Sequence, residues 1–128
     1  MVVLRSAKDV LQDHLDRRKA HDLEGDLTCN YDENLIVMSK DGVFHGKDGI
    51  RHTAAILRRN LPNAKFSYDI VRVEGEIALL SWSAEASNGN IVCEGADTFL
   101  IKDGRIVAQT IHYGIRTSKE SAAYRKET

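Results

Sequence analysis

Asp97 is the residue whose setting most suggests chemistry. Along the segment Ile91 to Ile101, the alternate positions Ile91, Cys93, Gly95, Phe99 and Ile101 are apolar or small, and Asp97 is the exception. Side chains of a strand alternate between its two faces, so this spacing puts one carboxylate on a face otherwise suited to a core. A buried carboxylate is costly unless it is hydrogen-bonded or protonated. Two readings follow: Asp97 is tied to a donor and fixes the fold, or it is a pocket acid. His14 is the second candidate. It recurs at helical spacing with Leu4, Ala7, Leu11, Leu15 and Arg18, and imidazole titrates near neutrality. It can serve a pocket as donor or base, or sit inside as a satisfied histidine. Tyr31, Trp82 and Tyr113 could wall such a pocket, because each joins a large apolar area to one polar handle; core packing is the competing role for the first two.

Other chemistries lack their residues. His14 and His21 share a helix face, but seven residues span ~10 Å, too far for one metal ion. Cys29 and Cys93 show no zinc-type spacing with histidine, so no metal site is expected. There is no glycine-rich phosphate loop and no nucleophile elbow. Asp32 and Glu33 are adjacent, so they point apart and read as a solvated turn. His45 reads as a helix cap, His21 as a solvated group near a helix end and His112 as outward-facing. His52 has no evident role.

The elements that must position these groups divide the chain in two. Ser6, with Asp9 three residues on, can cap a helix that runs to about Leu23, where Gly25 breaks it. A short helix follows, about Asp26 to Tyr31. Leu35-Ile36-Val37-Met38 reads as a strand and Lys40-Asp41-Gly42 as a turn. Gly46 to Asn60 reads as a second long helix, ended by Pro62. Four strands follow, about Lys65–Val73, Ile77–Ala86, Ile91–Ile101 and Arg105–Ile115. Asn88-Gly89 and Asp103-Gly104 between them are strong hairpin signals, because these residues tolerate positive φ. Helices followed by an antiparallel meander make an α+β domain.

In this meander Ala78, Leu80, Trp82 and Ala84 share a face with Asp97, and so do Gln109, Ile111 and Tyr113. The opposite face carries Ile77, Leu79, Val92, Leu100, Ile106 and His112. The more apolar set should meet the helices. One domain at residues 1–116 and a polar tail at 117–128, disordered or loosely helical, are expected.

Composition narrows the partners. The 128 residues suit one domain with one core, and a formal net charge of −1 gives no electrostatic footprint for nucleic acid. Arg17-Arg18-Lys19 and Arg58-Arg59 close predicted helices, where they complement the helix dipole. No apolar run reaches the ~20 residues that span a bilayer. The first residues lack the apolar segment of a secretory signal. A cytoplasmic protein with two reduced, packed cysteines is expected.

The segments Tyr31-Asp32-Glu33-Asn34-Leu35-Ile36-Val37-Met38 and Gly42-Val43-Phe44-His45-Gly46-Lys47-Asp48-Gly49-Ile50 resemble the signature of SnoaL-like proteins. So do Gly95-Ala96-Asp97-Thr98-Phe99 and Lys102-Asp103-Gly104-Arg105-Ile106. That family sits with polyketide cyclases and ketosteroid isomerases in the nuclear transport factor 2 superfamily, and the resemblance covers roughly residues 6 to 116. It implies a cystatin-like cone, a curved antiparallel sheet wrapped by three N-terminal helices, with a pocket between. It also implies a homodimer through the outer sheet face, where His112 would meet the partner.

By the same resemblance Asp97 stands where the isomerases hold a protonated aspartic acid (that acid's raised pKa is an established case), and where cyclases use a pocket aspartate. His14 falls near an isomerase tyrosine donor, and Tyr113 matches an aromatic pocket position. The isomerase base has no counterpart: Met38 or Ser39 stands in its place, so steroid isomerisation is not expected. The expectation is a cofactor-independent enzyme doing acid–base chemistry, cyclisation or isomerisation, on a small apolar carbonyl compound. Asp97 and His14 are its catalytic candidates, and Tyr31, Trp82, Tyr113, Phe99 and Ile111 its ligand contacts. The alternative is a non-catalytic ligand-binding or dimeric accessory domain with the same pocket.

Overall fold

The computed structural model describes residues 4–120. Three helices, α1 (Ala7–Lys19), α2 (Leu23–Asn30) and α3 (Gly46–Asn60), pack against one six-stranded sheet. Its strands are β1 (Tyr31–Ser39), β2 (Gly42–His45), β3 (Lys65–Glu74), β4 (Ile77–Glu85), β5 (Ile91–Lys102) and β6 (Arg105–His112), in the spatial order β2-β1-β6-β5-β4-β3. The architecture is the expected α+β one, a curved, unclosed sheet with the helices before the meander. One pairing departs from the antiparallel rule: β1 runs parallel to β6, from Tyr31 beside Ile106 to Met38 beside Thr110. The other four pairings are antiparallel.

Local chemistry explains most of the boundaries. Ser6 caps α1 as expected, its Oγ accepting from the Asp9 N–H at 3.1 Å. α1 stops at Lys19 rather than Leu23. His21 takes a left-handed φ of 58°, and Asp22 then caps α2 by accepting from the Gly25 N–H. Gly25 therefore does not break a helix; it lies inside α2. A Cβ there would sit 2.0 Å from the capping Asp22 Oδ2, so the tight cap needs glycine. Asp103 and Gly104 both adopt positive φ and close the β5–β6 hairpin.

Two expectations at the first strand are corrected. Tyr31, Asp32 and Glu33 belong to β1, not to a helix end and a turn. Glu33 is exposed and pairs with Lys47 at 2.8 Å, while Asp32 accepts from the Asn34 N–H. β2 was not expected at all, and it forms by pairing Gly42 with Ser39 and His45 with Ile36.

The core lies between the helices and the inner sheet face. Ala78, Leu80, Trp82 and Ala84 of β4 are all buried, as the alternation predicts. Val92 and Ile106 were expected on the outer face, yet they are 1% and 0% exposed. Irregularities in register explain both. Between Trp82 opposite Gly95 and Ala84 opposite Val92, β5 uses one more residue than β4, which turns Val92 inward. A second irregularity pairs Ile101 with Ile106 directly. An extra residue in one strand reverses side-chain parity beyond it.

Cys29 lies in α2 and Cys93 in β5; both are free thiols and only partly buried. His45 occupies the α3 N-cap position without a side-chain capping bond, so the expected cap is absent. His52 packs at a tilt against Phe44, ring centroids 4.8 Å apart. His112 is exposed, as expected. Thr117 and Glu120 cap each other at the start of a helical turn over 118–120, and the rest of the expected polar tail lies outside the described residues. Among the described residues no helix is long and apolar enough to cross a membrane.

Candidate functional site

A cavity of about 310 Å³ opens between the inner face of the sheet and α1 and α3. His14, Tyr31, Trp82, Asp97, Ile111 and Tyr113 all line it, so six of the seven residues singled out from sequence meet in one place. Phe99 does not line it. It is buried behind the wall with its ring edge-on to His14 at 5.3 Å, and supports the histidine rather than a ligand.

Asp97 is set by three strands. β4 supplies Trp82, whose Nε1–H donates to Asp97 Oδ1 at 3.1 Å. β6 supplies Gln109, whose Nε2–H donates to Oδ2 at 3.1 Å. Gln109 in turn accepts from the Tyr31 hydroxyl of β1 through its Oε1. That acceptance fixes which end of the amide faces Asp97. Trp82 can reach across because its β5 neighbour is Gly95: a Cβ there would lie 2.3 Å from the indole Cε2. The indole also packs against Tyr113 and Phe66, with centroids 5.5 and 5.7 Å away.

Burial pushes the Asp97 carboxyl up to about 6, against the opposing pull of the Trp82 hydrogen bond, of His14 whenever that ring carries a second proton, and of the Gln109 hydrogen bond. Two donors are therefore not enough to hold this carboxylate in its ordinary range. It can carry or release a proton close to neutrality.

His14 is set by the packing of α1 against α2. Its Nδ1 lies 2.8 Å from Asp26 Oδ2, and Asp26 is fully buried. The other Asp26 oxygen accepts from Asn30 Nδ2 at 2.9 Å. A carboxylate on Nδ1 holds the proton there in neutral imidazole and leaves Nε2 with its lone pair, the arrangement a general base needs. Among the described residues Nε2 has no protein partner and no buried side-chain nitrogen or oxygen lacks one, so Nε2 is open to the cavity that His14 lines.

The remaining walls mix aromatic and aliphatic side chains with polar ones, among them Arg18, Ser39, Asp41 and Arg58. Burial raises the hydroxyl pKa values of Tyr31, Tyr68 and Tyr113, so all three are neutral donors near pH 7. Met38 points to the outer face and is 48% exposed, and Ser39 lines the cavity without a carboxylate. Asp41, in the β1–β2 turn, borders the cavity and raises the Tyr113 hydroxyl further.

Sequence reasoning missed Asp26, Gln109, Tyr68 and Asp41. Gln109 had a signal, being polar at an inner-face position two residues before Ile111. Asp26 had none, because its partner His14 is twelve residues away on another helix.

A family model, SnoaL-like domain, matches residues 11–109. Solved structures share the fold. A nuclear transport factor 2-like protein of unknown function from Mesorhizobium loti superposes with TM-score 0.72 at 18% identity, covering 89% of this chain and 97% of that one. A second M. loti protein, assigned as a SnoaL-like polyketide cyclase, gives 0.65 at 17%, covering 85% and 100%. A Kribbella flavida protein assigned as a ketosteroid isomerase gives 0.69 at 11%, covering 84% and 77%. No curated protein matches the chain. At these identities the superpositions speak for the fold alone. The match of the family model over well over half of the sequence makes the chain a member of the SnoaL-like domain family.

Proposed function

We propose that this protein is a cofactor-independent acid–base enzyme that moves protons on a small, largely apolar carbonyl compound, in a cyclisation or an isomerisation. The observation that carries the reading is that Asp97 and His14 border one cavity with opposite preparations. Asp97 is poised to hold a proton near neutrality, and His14 is oriented by Asp26 to accept one at Nε2. The step balances within the pair. His14 Nε2 takes the proton from the carbon next to the carbonyl, Asp97 gives its own to the carbonyl oxygen, and the enol forms. The enol carbon then attacks a second carbonyl of the ligand, whose C=O π bond breaks as its oxygen takes the proton from His14, or a new carbon takes that proton; in both cases the enol hydroxyl returns its proton to Asp97, and both groups regain their starting forms. A carboxylate alone would suit binding; the paired base favours chemistry.

The test is solvent exchange. In D2O the protein is expected to speed deuterium incorporation next to the carbonyl of 1-tetralone or smaller cyclic ketones that bind it. Binding without any exchange above background would favour the accessory-domain reading.

The same reading includes a homodimer. The registers place Val43, Met38, Thr110, Thr98, Leu79 and Arg72 in one row across the outer face. Ile77 and Ile70 lie on the same side, and Ile77, Val43 and Met38 are 65%, 55% and 48% exposed. Apolar exposure of this extent on one sheet face suits a semi-polar subunit interface. Light scattering is expected to return twice the 14.3 kDa chain mass at micromolar concentration. A monomer mass across that range would remove the dimer and leave the cavity chemistry untouched.

A further inference from the structure

The cavity contains a cation that the acid–base pair does not use. Arg18, in the last turn of α1, lines the cavity, and its side chain is only 26% exposed. Among the described residues its guanidinium finds no hydrogen-bond acceptor. Its one ion pair among the described residues, with Asp26, is long at 3.9 Å, and Asp26 is already satisfied by His14 and Asn30.

Other arginines of the fold are engaged. Arg17 holds Asp13 and Asp22, Arg51 holds Glu24 and Asp48, and Arg5 and Arg105 grip backbone carbonyls. A helix end accounts for a cation at position 18, but not for a guanidinium half-withdrawn from water with its donors unspent. The group reaches the site electrostatically, since its charge pulls down the pKa values of Tyr31, Tyr68 and Asp97 together. Arg58 of α3 borders the same cavity and is exposed. The acidic Asp41 lies by Tyr113, so the cavity carries positive charge beside α1 and negative charge in the β1–β2 turn.

We propose that the ligand carries a carboxylate and that Arg18 is the residue that recognises it, which narrows the substrate class to small ring-bearing organic acids with a carbonyl. The planar fork of a guanidinium matches a carboxylate with two parallel hydrogen bonds. The rings of Trp82, Tyr68 and Tyr113 receive the apolar body, and the carbonyl falls to Asp97. A cavity of about 310 Å³ limits that body to one or two fused rings. This inference rests on the ligand-pocket reading above but not on catalysis.

The experiment compares 2-naphthoate with its neutral isostere 2-naphthamide. Binding is followed on the indole N–H signal of Trp82, the chain's single tryptophan, at pH 5.5 to keep Asp97 largely protonated. The carboxylate is expected to bind at least about tenfold tighter than the amide. In Arg18→Gln the two should bind within about twofold of each other, with the amide's affinity unchanged from the parent. An amide affinity that falls together with the carboxylate's in Arg18→Gln would overturn the inference, since it would mean a lost wall rather than a lost charge. Equal affinity in the parent, or a carboxylate preference that survives Arg18→Gln, would overturn it while leaving the pocket standing. Failure of both probes to move the Trp82 signal would remove the pocket reading and this inference with it.

Discussion

Asp97→Asn is expected to fold as the parent does and to lose at least about a hundredfold in ketone proton exchange, the scale of a positioned general acid. The substitution keeps shape. Its Oδ1 still accepts from the Trp82 indole, so the wall of the cavity stays in place. One hydrogen bond is lost, because the new amide and Gln109 Nε2 are both donors. That costs about 1 kcal/mol.

Linkage opposes this cost. Asp97 is raised from 3.8 to about 6 in the folded protein, so the native state binds the proton more tightly than the unfolded chain. Its contribution is fully present below the unfolded value and is lost as pH rises through about 6. The parent should therefore lose stability between about pH 4 and 6 on account of this residue, and the asparagine variant should not. Deuterium exchange read by proton NMR, with urea unfolding at pH 4 and pH 7, checks both halves. Parent-like exchange would end the role of Asp97 as the acid, and an unfolded variant would make it a structural aspartate.

Asp26→Ala is expected to be among the most damaging single substitutions, at about 3–5 kcal/mol, the usual cost of stripping one partner from a buried charged network. Asp26 is fully buried and holds both His14 and Asn30. Its removal leaves the His14 Nδ1–H and an Asn30 amide proton facing a cavity with no acceptor. It also releases the tautomer of His14, which packing alone does not fix. Asp26→Asn separates the two effects. It retains volume and one acceptor, so it should cost less stability, while the fraction of His14 protonated at Nδ1, read from imidazole 15N shifts, should fall. A loss below about 1 kcal/mol for Asp26→Ala would mean that the network is not what joins α1 to α2.

How much of this was legible in the sequence follows from the range of each interaction. The meander could be read because its hairpins are local: Asp103-Gly104 sets its turn with its own φ preferences, and period-two burial in β4 runs unbroken from Ala78 to Ala84. Asp97 could be read because a lone carboxylate stands out against Gly95 and Phe99. Val92 and Ile106 could not, because strand parity is reversed by irregularities that depend on how two strands meet. β2 has four residues with alternating exposure and no strand-like composition beyond Val43-Phe44. The parallel β1–β6 pairing joins segments some seventy residues apart, beyond any local signal.

The site divides in the same way. Trp82, Tyr113 and Ile111 followed from alternation, and His14 from helical spacing. The Asp26 contact depends on the angle between two helices. Arg18 was explained by the helix dipole, an explanation that is true of its position and silent about where its guanidinium goes.

The central claim is that Asp97 is a pocket acid that changes protonation near neutrality. The most direct measurement is the titration of its side-chain carboxyl carbon by NMR, in protein with 13C-labelled aspartate and with Asp97→Asn to assign the signal. The midpoint is expected at about 6. A midpoint at or below 3.8 would contradict the account: Trp82 and Gln109 would then be stabilising a permanent carboxylate, and Asp97 would hold the fold together rather than move protons.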